Sequence, residues 1–196
     1  MKRPQATKVT PQILTLQLER PEPTCLAVVA DTHSLPHPDA LRHLKALAPE
    51  AILHGGDIGD LEVLTALREI APVYAVRGNI DERMTEMPDV LIIDLLDTEG
   101  AATRLLLTHI AIAGTRLRSE VAKLAKANGA RLVVCGHSHV PFIGQDQGLT
   151  VFNPGSMGPR RFHLPILYGS IELADGQLSL RHYDCETGRP WAPQVR

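Results

Sequence analysis

Leu26-Ala27-Val28-Val29-Ala30-Asp31-Thr32-His33 is followed, one helix-length interval later, by Ala51-Ile52-Leu53-His54-Gly55-Gly56-Asp57. Each piece is a short apolar run that breaks into a loop carrying metal-binding side chains. A run of this length without polar alternation suits a strand buried on both faces of a sheet. The interval places Asp39 ahead of Leu41, Leu44 and Leu47, one face of a helix that stops before Pro49. Asp39 is its expected cap. Strand, loop and helix then recur, with further apolar runs at 73–76, 105–107 and 132–134. Asp60 is placed to cap a second helix carrying Leu61, Leu64, Leu67 and Ile70. A third helix is expected to carry Leu117, Val121 and Leu124 and to end at Asn128-Gly129.

Two regions read as hairpins. Runs at 90–94 and 103–107 are separated by a segment containing Gly100, and runs at 166–173 and 178–183 flank Asp175-Gly176. Parallel units followed by antiparallel hairpins predict an α/β (α+β) chain: a two-sheet β-sandwich flanked by helices. One domain is expected over 25–196. Residues 1–24 hold Pro4, Pro11, Pro21 and Pro23, with partial alternation at 13–18, and read as an N-terminal tail or an added edge strand.

Composition narrows the function. Among 196 residues, Lys and Arg number 20 against 22 Asp and Glu, so no broad basic surface for polymeric nucleic acid is expected. Aromatic residues are only 4%, which argues against stacking platforms for single strands. No apolar stretch is long enough for a membrane span. Cys25, Cys135 and Cys185 are odd in number and form no CxxC pair, as expected of a cytoplasmic protein with reduced thiols. Nine histidines remain to be explained.

Their positions explain four of them. Successive apolar runs end in Asp31-Thr32-His33, in Gly56-Asp57, in Gly78-Asn79, in Thr108-His109 and in Gly136-His137-Ser138-His139. Intervals of 26, 22, 30 and 28 residues separate Asp31, Asp57, Asn79, His109 and His137. Each matches one βα unit, so the loops should emerge on one edge of a parallel sheet, where ligands bind. Seven nitrogen and oxygen donors without a thiolate exceed what one tetrahedral ion needs; they suit two borderline divalent metals sharing a carboxylate. His54 reads equally as support for this cluster or as packing. His37, His43, His163 and His182 have no motif around them. Asn153-Pro154-Gly155-Ser156 reads first as a turn and second as a shelf near the substrate; Arg160 and Arg161 read first as solvated arginines and second as contacts to a phosphate.

Asp-x-His, Gly-Asp, Gly-Asn, a lone His and Gly-His-x-His, in that order, resemble the calcineurin-like metallophosphoesterases. Val76-Arg77-Gly78-Asn79 and Asn153-Pro154-Gly155-Ser156 resemble the small YfcE-type phosphodiesterase branch, over about 26–183. The resemblance implies the αββα metallophosphoesterase fold. It implies Asp31, His33 and His139 as ligands of one metal ion, Asn79, His109 and His137 as ligands of a second, and Asp57 as the bridge. The implied cofactors are two divalent transition-metal ions, manganese first, with iron, nickel or zinc as alternatives. The implied reaction is hydrolysis of a small phosphate diester by in-line attack of hydroxide generated between the ions. Asn79 would also be catalytic, its amide nitrogen donating to a phosphate oxygen. A phosphomonoesterase, a nucleotide phosphatase and a non-catalytic Vps29-like scaffold are the alternatives, and a homo-oligomer is left open. Two positions depart from the family pattern. Ile80 stands where many members have a proton-donating His, and Ile110-Ala111 follows His109 where many continue Gly-His.

Overall fold

Leu26 and Val28 point to one face of their strand, Ala27 and Val29 to the other, and both faces are covered. A computed structural model of the chain describes residues 10–19, 23–100, 102–174 and 177–193. The first half contains β1 (Gln12–Gln17), β2 (Thr24–Val29), α1 (Ala40–Leu47), β3 (Ala51–His54), α2 (Leu61–Arg68), β4 (Val73–Ala75) and β5 (Val90–Leu96). It continues with β6 (Ala102–Thr108), β7 (Ile112–Ala113), β8 (Arg116–Leu117), α3 (Ser119–Ala127) and β9 (Leu132–Val134). The last part is all strand: β10 (Phe142–Asp146), β11 (Leu149–Asn153), β12 (Leu167–Ala174), β13 (Gln177–Asp184) and β14 (Pro190–Trp191).

Two six-stranded sheets result, ordered β1-β5-β6-β9-β11-β10 and β14-β13-β12-β2-β3-β4. Between them Leu26, Val28 and Leu53 meet Leu91, Ile93, Leu105, Leu107, Val134 and Phe152. The outer face of the second sheet, Ala27, Val29 and Ile52, is covered by Leu44, Leu64 and Leu67 of α1 and α2. The outer face of the first, Ile92, Leu106 and Val133, is covered by Val121, Ala122 and Ala125 of α3. Helix, sheet, sheet, helix is the expected layering.

Several local expectations are corrected. The five ligand-bearing strands do not share one sheet: β2, β3 and β4 lie in the second, β6 and β9 in the first. Asp39 is not a side-chain cap; its backbone is already helical and its carboxylate binds Arg42 at 2.7 Å. Asp60 makes no side-chain cap bond either. Ile70 lies beyond α2, and Leu117 pairs with Ile112 in a small hairpin before α3 begins. The β5–β6 hairpin forms, with Gly100 at φ 83°. The β12–β13 pairing also forms, while its Asp175-Gly176 turn lies outside the described residues, as do residues 1–9 and 20–22.

β1 pairs in parallel with β5 at the edge of the first sheet, and Leu18 beyond it donates its N–H to Leu96 at 2.8 Å. Trp191 brings the C-terminal segment onto β13, its ring edge-on to His182. Among the described residues no helix is long and apolar enough to cross a membrane. Because Leu18 is only 1% exposed, Leu18→Ala should lower unfolding free energy by about 2–5 kcal/mol. Urea unfolding measures this, and a loss under about 0.5 kcal/mol would mean that this segment contributes little to the core.

Candidate metal centre

Parallel strands of both sheets end at the same end of the sandwich, and their loops are laced together. Asp31 and His33 donate their N–H groups to Gly56 and Asp57 at 2.9 and 3.0 Å, joining the loops after β2 and β3. Gly136 donates to His109 at 3.0 Å, joining those after β9 and β6. Across the sheets, the His137 N–H reaches both oxygens of Asp31 at 3.1 and 3.0 Å.

The turns that aim these side chains are strained. Asp31, His33, Asp57, His137 and His139 have φ of 54°, 47°, 54°, 69° and 58°. Left-handed backbone at a non-glycine residue costs on the order of 1–3 kcal/mol and persists where the surroundings impose it. Asp and His tolerate it better than branched residues do. Five of the seven sequence-predicted ligands adopt this conformation.

The side chains gather in two groups. In one, the Nε2 atoms of His33 and His139 lie 3.2 Å apart, with Asp31 Oδ1 3.4 Å from His139. In the other, His109 Nε2 lies 3.1 Å from Asn79 Oδ1 and 3.3 Å from Asp57 Oδ1. Asp57 spans both: its Oδ2 faces His33 Nε2 at 3.6 Å while Oδ1 faces His109. Asp31 is close enough to join either group. His137 stands apart; it is exposed, and its ring meets His109 edge-on at 5.1 Å between centroids.

A divalent cation fits this donor set. Burial pushes the Asp31 carboxyl up to about 8, reinforced by the Asp57 charge. Burial also lowers His33 and His109 and brings His139 down to about 4, so the rings are neutral near pH 7. His109 Nδ1–H donates to the Gly55 carbonyl at 2.7 Å. Its Nε2 lone pair then faces two oxygen acceptors with no proton to share among them. Buried His139 Nδ1 also lacks a hydrogen-bond partner among the described residues. Acceptors aimed at one another are what a cation satisfies, and the N/O composition suits borderline divalent ions.

Residues outside the ligand motifs hold the loops. Asp81 accepts N–H groups from Ile58, Gly59 and Gly78 at 2.8–3.1 Å, a pinning role that the departure at Ile80 did not suggest. His54 accepts from the Gly56 N–H and donates to Thr32 Oγ1 at 3.1 Å. With both ring nitrogens engaged and the ring buried, it is a support and no proton donor. Asn153 and Ser156 brace the cluster, to the Gly136 carbonyl at 2.7 Å and the Asp31 carbonyl at 2.9 Å. Gly78 permits a close backbone approach: a Cβ there would lie 2.1 Å from the Asp57 nitrogen. Arg161 is exposed, as expected, and also donates to His33 Nε2 at 3.1 Å. Arg160 is exposed too and pairs with Glu186 at the surface.

Residues 25–176 match the calcineurin-like phosphoesterase superfamily domain. The chain belongs to this superfamily. It is 31% identical over 136 residues to a probable metallophosphoesterase of Methanocaldococcus jannaschii, covering 67% of each chain. It is 30% identical over 180 residues to one of Methanothermobacter thermautotrophicus, covering 87% of this chain and 95% of the relative. Its fold is similar to that of Vps29 from Entamoeba histolytica, solved with zinc: TM-score 0.67, 22% identity, 88% and 98% of the two chains. It is also similar to YfcE, a phosphoesterase from E. coli: TM-score 0.58, 23% identity, 86% and 97%. Members of the calcineurin-like superfamily use divalent metals, and the chain is a metallophosphoesterase-family hydrolase with a candidate ligand cluster in place.

The ligand electrostatics set a pH profile for the chelator-treated protein. Folded Asp31 keeps its proton up to about pH 8, against an ordinary value of 3.8, so its contribution to stability falls as pH rises between those values. His33, His54, His109, His139 and His182 lie below their ordinary 6.5, so the unfolded chain takes protons first and stability also falls as pH drops below it. Denaturation at a series of pH values should therefore show a maximum at roughly pH 6–7. Asp31→Asn should flatten the alkaline limb; an unchanged limb would contradict the assignment.

Proposed function

We propose that the protein is a dinuclear metallophosphodiesterase acting on a small phosphate diester. The carrying observation is Asp57, whose two oxygens face separate donor groups at 3.6 and 3.3 Å. A carboxylate so placed serves two ions at once. His33, His139 and Asp31 would hold one ion, and Asn79 and His109 the other, with His137 completing it. Manganese is the proposed metal. When bound, the ion pair supplies a water of lowered pKa and neutralises the charge of the phosphate during in-line displacement.

This chain's own groups do the rest. Asp57 is fixed by the Ile80 N–H at 3.2 Å, and His109 by the Gly55 carbonyl. Asn79 turns its oxygen to His109 and stands exposed, leaving its amide nitrogen free to donate to a phosphate oxygen. Ile80 is 49% exposed and can neither give nor take a proton. With His54 engaged elsewhere, neither residue protonates the departing oxygen. Diesters with stable leaving groups are therefore the favoured substrates, since a general acid is worth about 10²–10⁴ in rate when the leaving group is poor. The Vps29-like fold would also permit a scaffold, and the similar Vps29 of Entamoeba histolytica was itself solved with zinc, so turnover rather than metal binding separates the two readings. Cys25, Cys135 and Cys185 form no disulfide among the described residues, which supports a cytoplasmic location.

Loaded with Mn²⁺, the protein should turn over bis(p-nitrophenyl) phosphate faster than p-nitrophenyl phosphate. Asp57→Asn should fold and lose roughly a hundredfold or more of that turnover. A folded Asp57→Asn variant with unchanged turnover would refute the bridge, and a preference for the monoester would refute the diesterase assignment.

A further inference from the structure

The segment between β11 and β12 contributes no ligand, yet it is clamped onto the ligand loops. Met157 donates to the Ala30 carbonyl at 3.0 Å and accepts from the His37 N–H at 2.8 Å. Gly158 packs so closely that a Cβ would lie 2.4 Å from the Asp31 carbonyl oxygen. Two adjacent arginines then diverge. Arg160 is held away from the site by Glu186 and by the Leu164 carbonyl. Arg161 turns toward the cluster and donates to His33 Nε2, a bond that an ion held by His33 would displace, with no carboxylate ion pair among the described residues. The Leu164 N–H closes the turn onto the Arg161 carbonyl at 3.1 Å.

Inside that turn Phe162 has φ 52° and is 91% exposed. A bulky aromatic residue in left-handed backbone is a genuine outlier, and such strain collects at ligand clamps. Burial does not explain it either, because the ring faces solvent. Other exposed apolar side chains neighbour ligand residues in the chain. Seven large hydrophobic side chains are exposed among the described residues; Leu35, Ile80, Val140 and Phe162 lie within two positions of His33, Asn79, His139 and Arg161. A phosphodiester presents the complementary surface: one negative charge between two ester arms.

We infer that Arg161 and Phe162 form a substrate clamp, the guanidinium holding a phosphate oxygen and the ring packing on an apolar or aromatic ester arm. This deepens the phosphoesterase assignment and rests on it. A guanidinium presents several N–H donors in a plane and keeps its charge at any working pH, so it suits a phosphate oxygen better than a solvated lysine would. Leu35, Ile80 and Val140, exposed next to ligand residues in the chain, would favour an arm that gains from leaving water.

Calorimetric titration of the Mn²⁺-loaded protein with inorganic phosphate and with phenylphosphonate tests the clamp without turnover. Arg161→Met should weaken both anions by about tenfold or more, the usual scale of a charge-assisted hydrogen bond. Phe162→Ala should weaken phenylphosphonate by about threefold to tenfold and leave phosphate unchanged. Metal content is checked in each variant, and both side chains are exposed, so folding is not at risk. Wild-type binding of both anions with Arg161→Met unaltered overturns the clamp and leaves the phosphoesterase assignment standing. Equal weakening of both anions by Phe162→Ala overturns the ring's role. A metal-loaded wild type that binds neither anion overturns the assignment itself.

Discussion

Asp31 and Asp57 are buried at one end of an otherwise aliphatic sandwich, and the arrangement around them follows from that pairing. Their oxygens can lie within 4.8 Å of each other and of His109. Two ionised carboxylates at that separation repel by about 3.5 kcal/mol at an effective dielectric of 20. The protein alone lowers this repulsion by protonating Asp31, and a cation between the carboxylates removes the need. Burial holds His33, His109 and His139 neutral, and the His109 Nε2 lone pair turns inward because its Nδ1–H is given to the Gly55 carbonyl. Such a cluster opposes folding unless something positive joins it.

The layers explain how that opposition is tolerated. Neither sheet assembles the site alone: β2, β3 and β4 bring Asp31, Asp57 and Asn79, while β6 and β9 bring the histidines opposite. Aliphatic packing between the sheets fixes their spacing, and the backbone lacing across their ends fixes the loops. Asp81, buried beneath the cluster, gathers three backbone N–H donors from two of those loops. It spends a charge on rigidity where rigidity lets left-handed turns persist.

Much of this was legible in the amino-acid order because two periodicities coincide. Leu26 to Ala30 and Leu132 to Val134 are apolar on every residue, so burial on both faces could be read directly. The Asp and His residues that follow fall at βα intervals, and the structure gathers six of the seven proposed ligands into the two donor groups, with His137 standing beside them. What stayed hidden depends on partners distant in the chain. The division of ligand strands between two sheets turns on crossovers that local pattern does not encode. Asp39 reads as a cap from its neighbours, yet Arg42 takes its carboxylate. Arg160 and Arg161 are indistinguishable in composition, and only the turn closed at Leu164 sends one outward and the other to His33. Asp81 carries no motif that would reveal its three donors.

The central claim is that Asp57 joins two ions into one centre. Electron paramagnetic resonance of the protein carrying two equivalents of Mn²⁺ tests it most directly. Ions sharing a carboxylate about 3.5–4 Å apart should give an exchange-coupled spectrum. A spectrum of two magnetically isolated Mn²⁺ ions, or of one bound and one free, would contradict it.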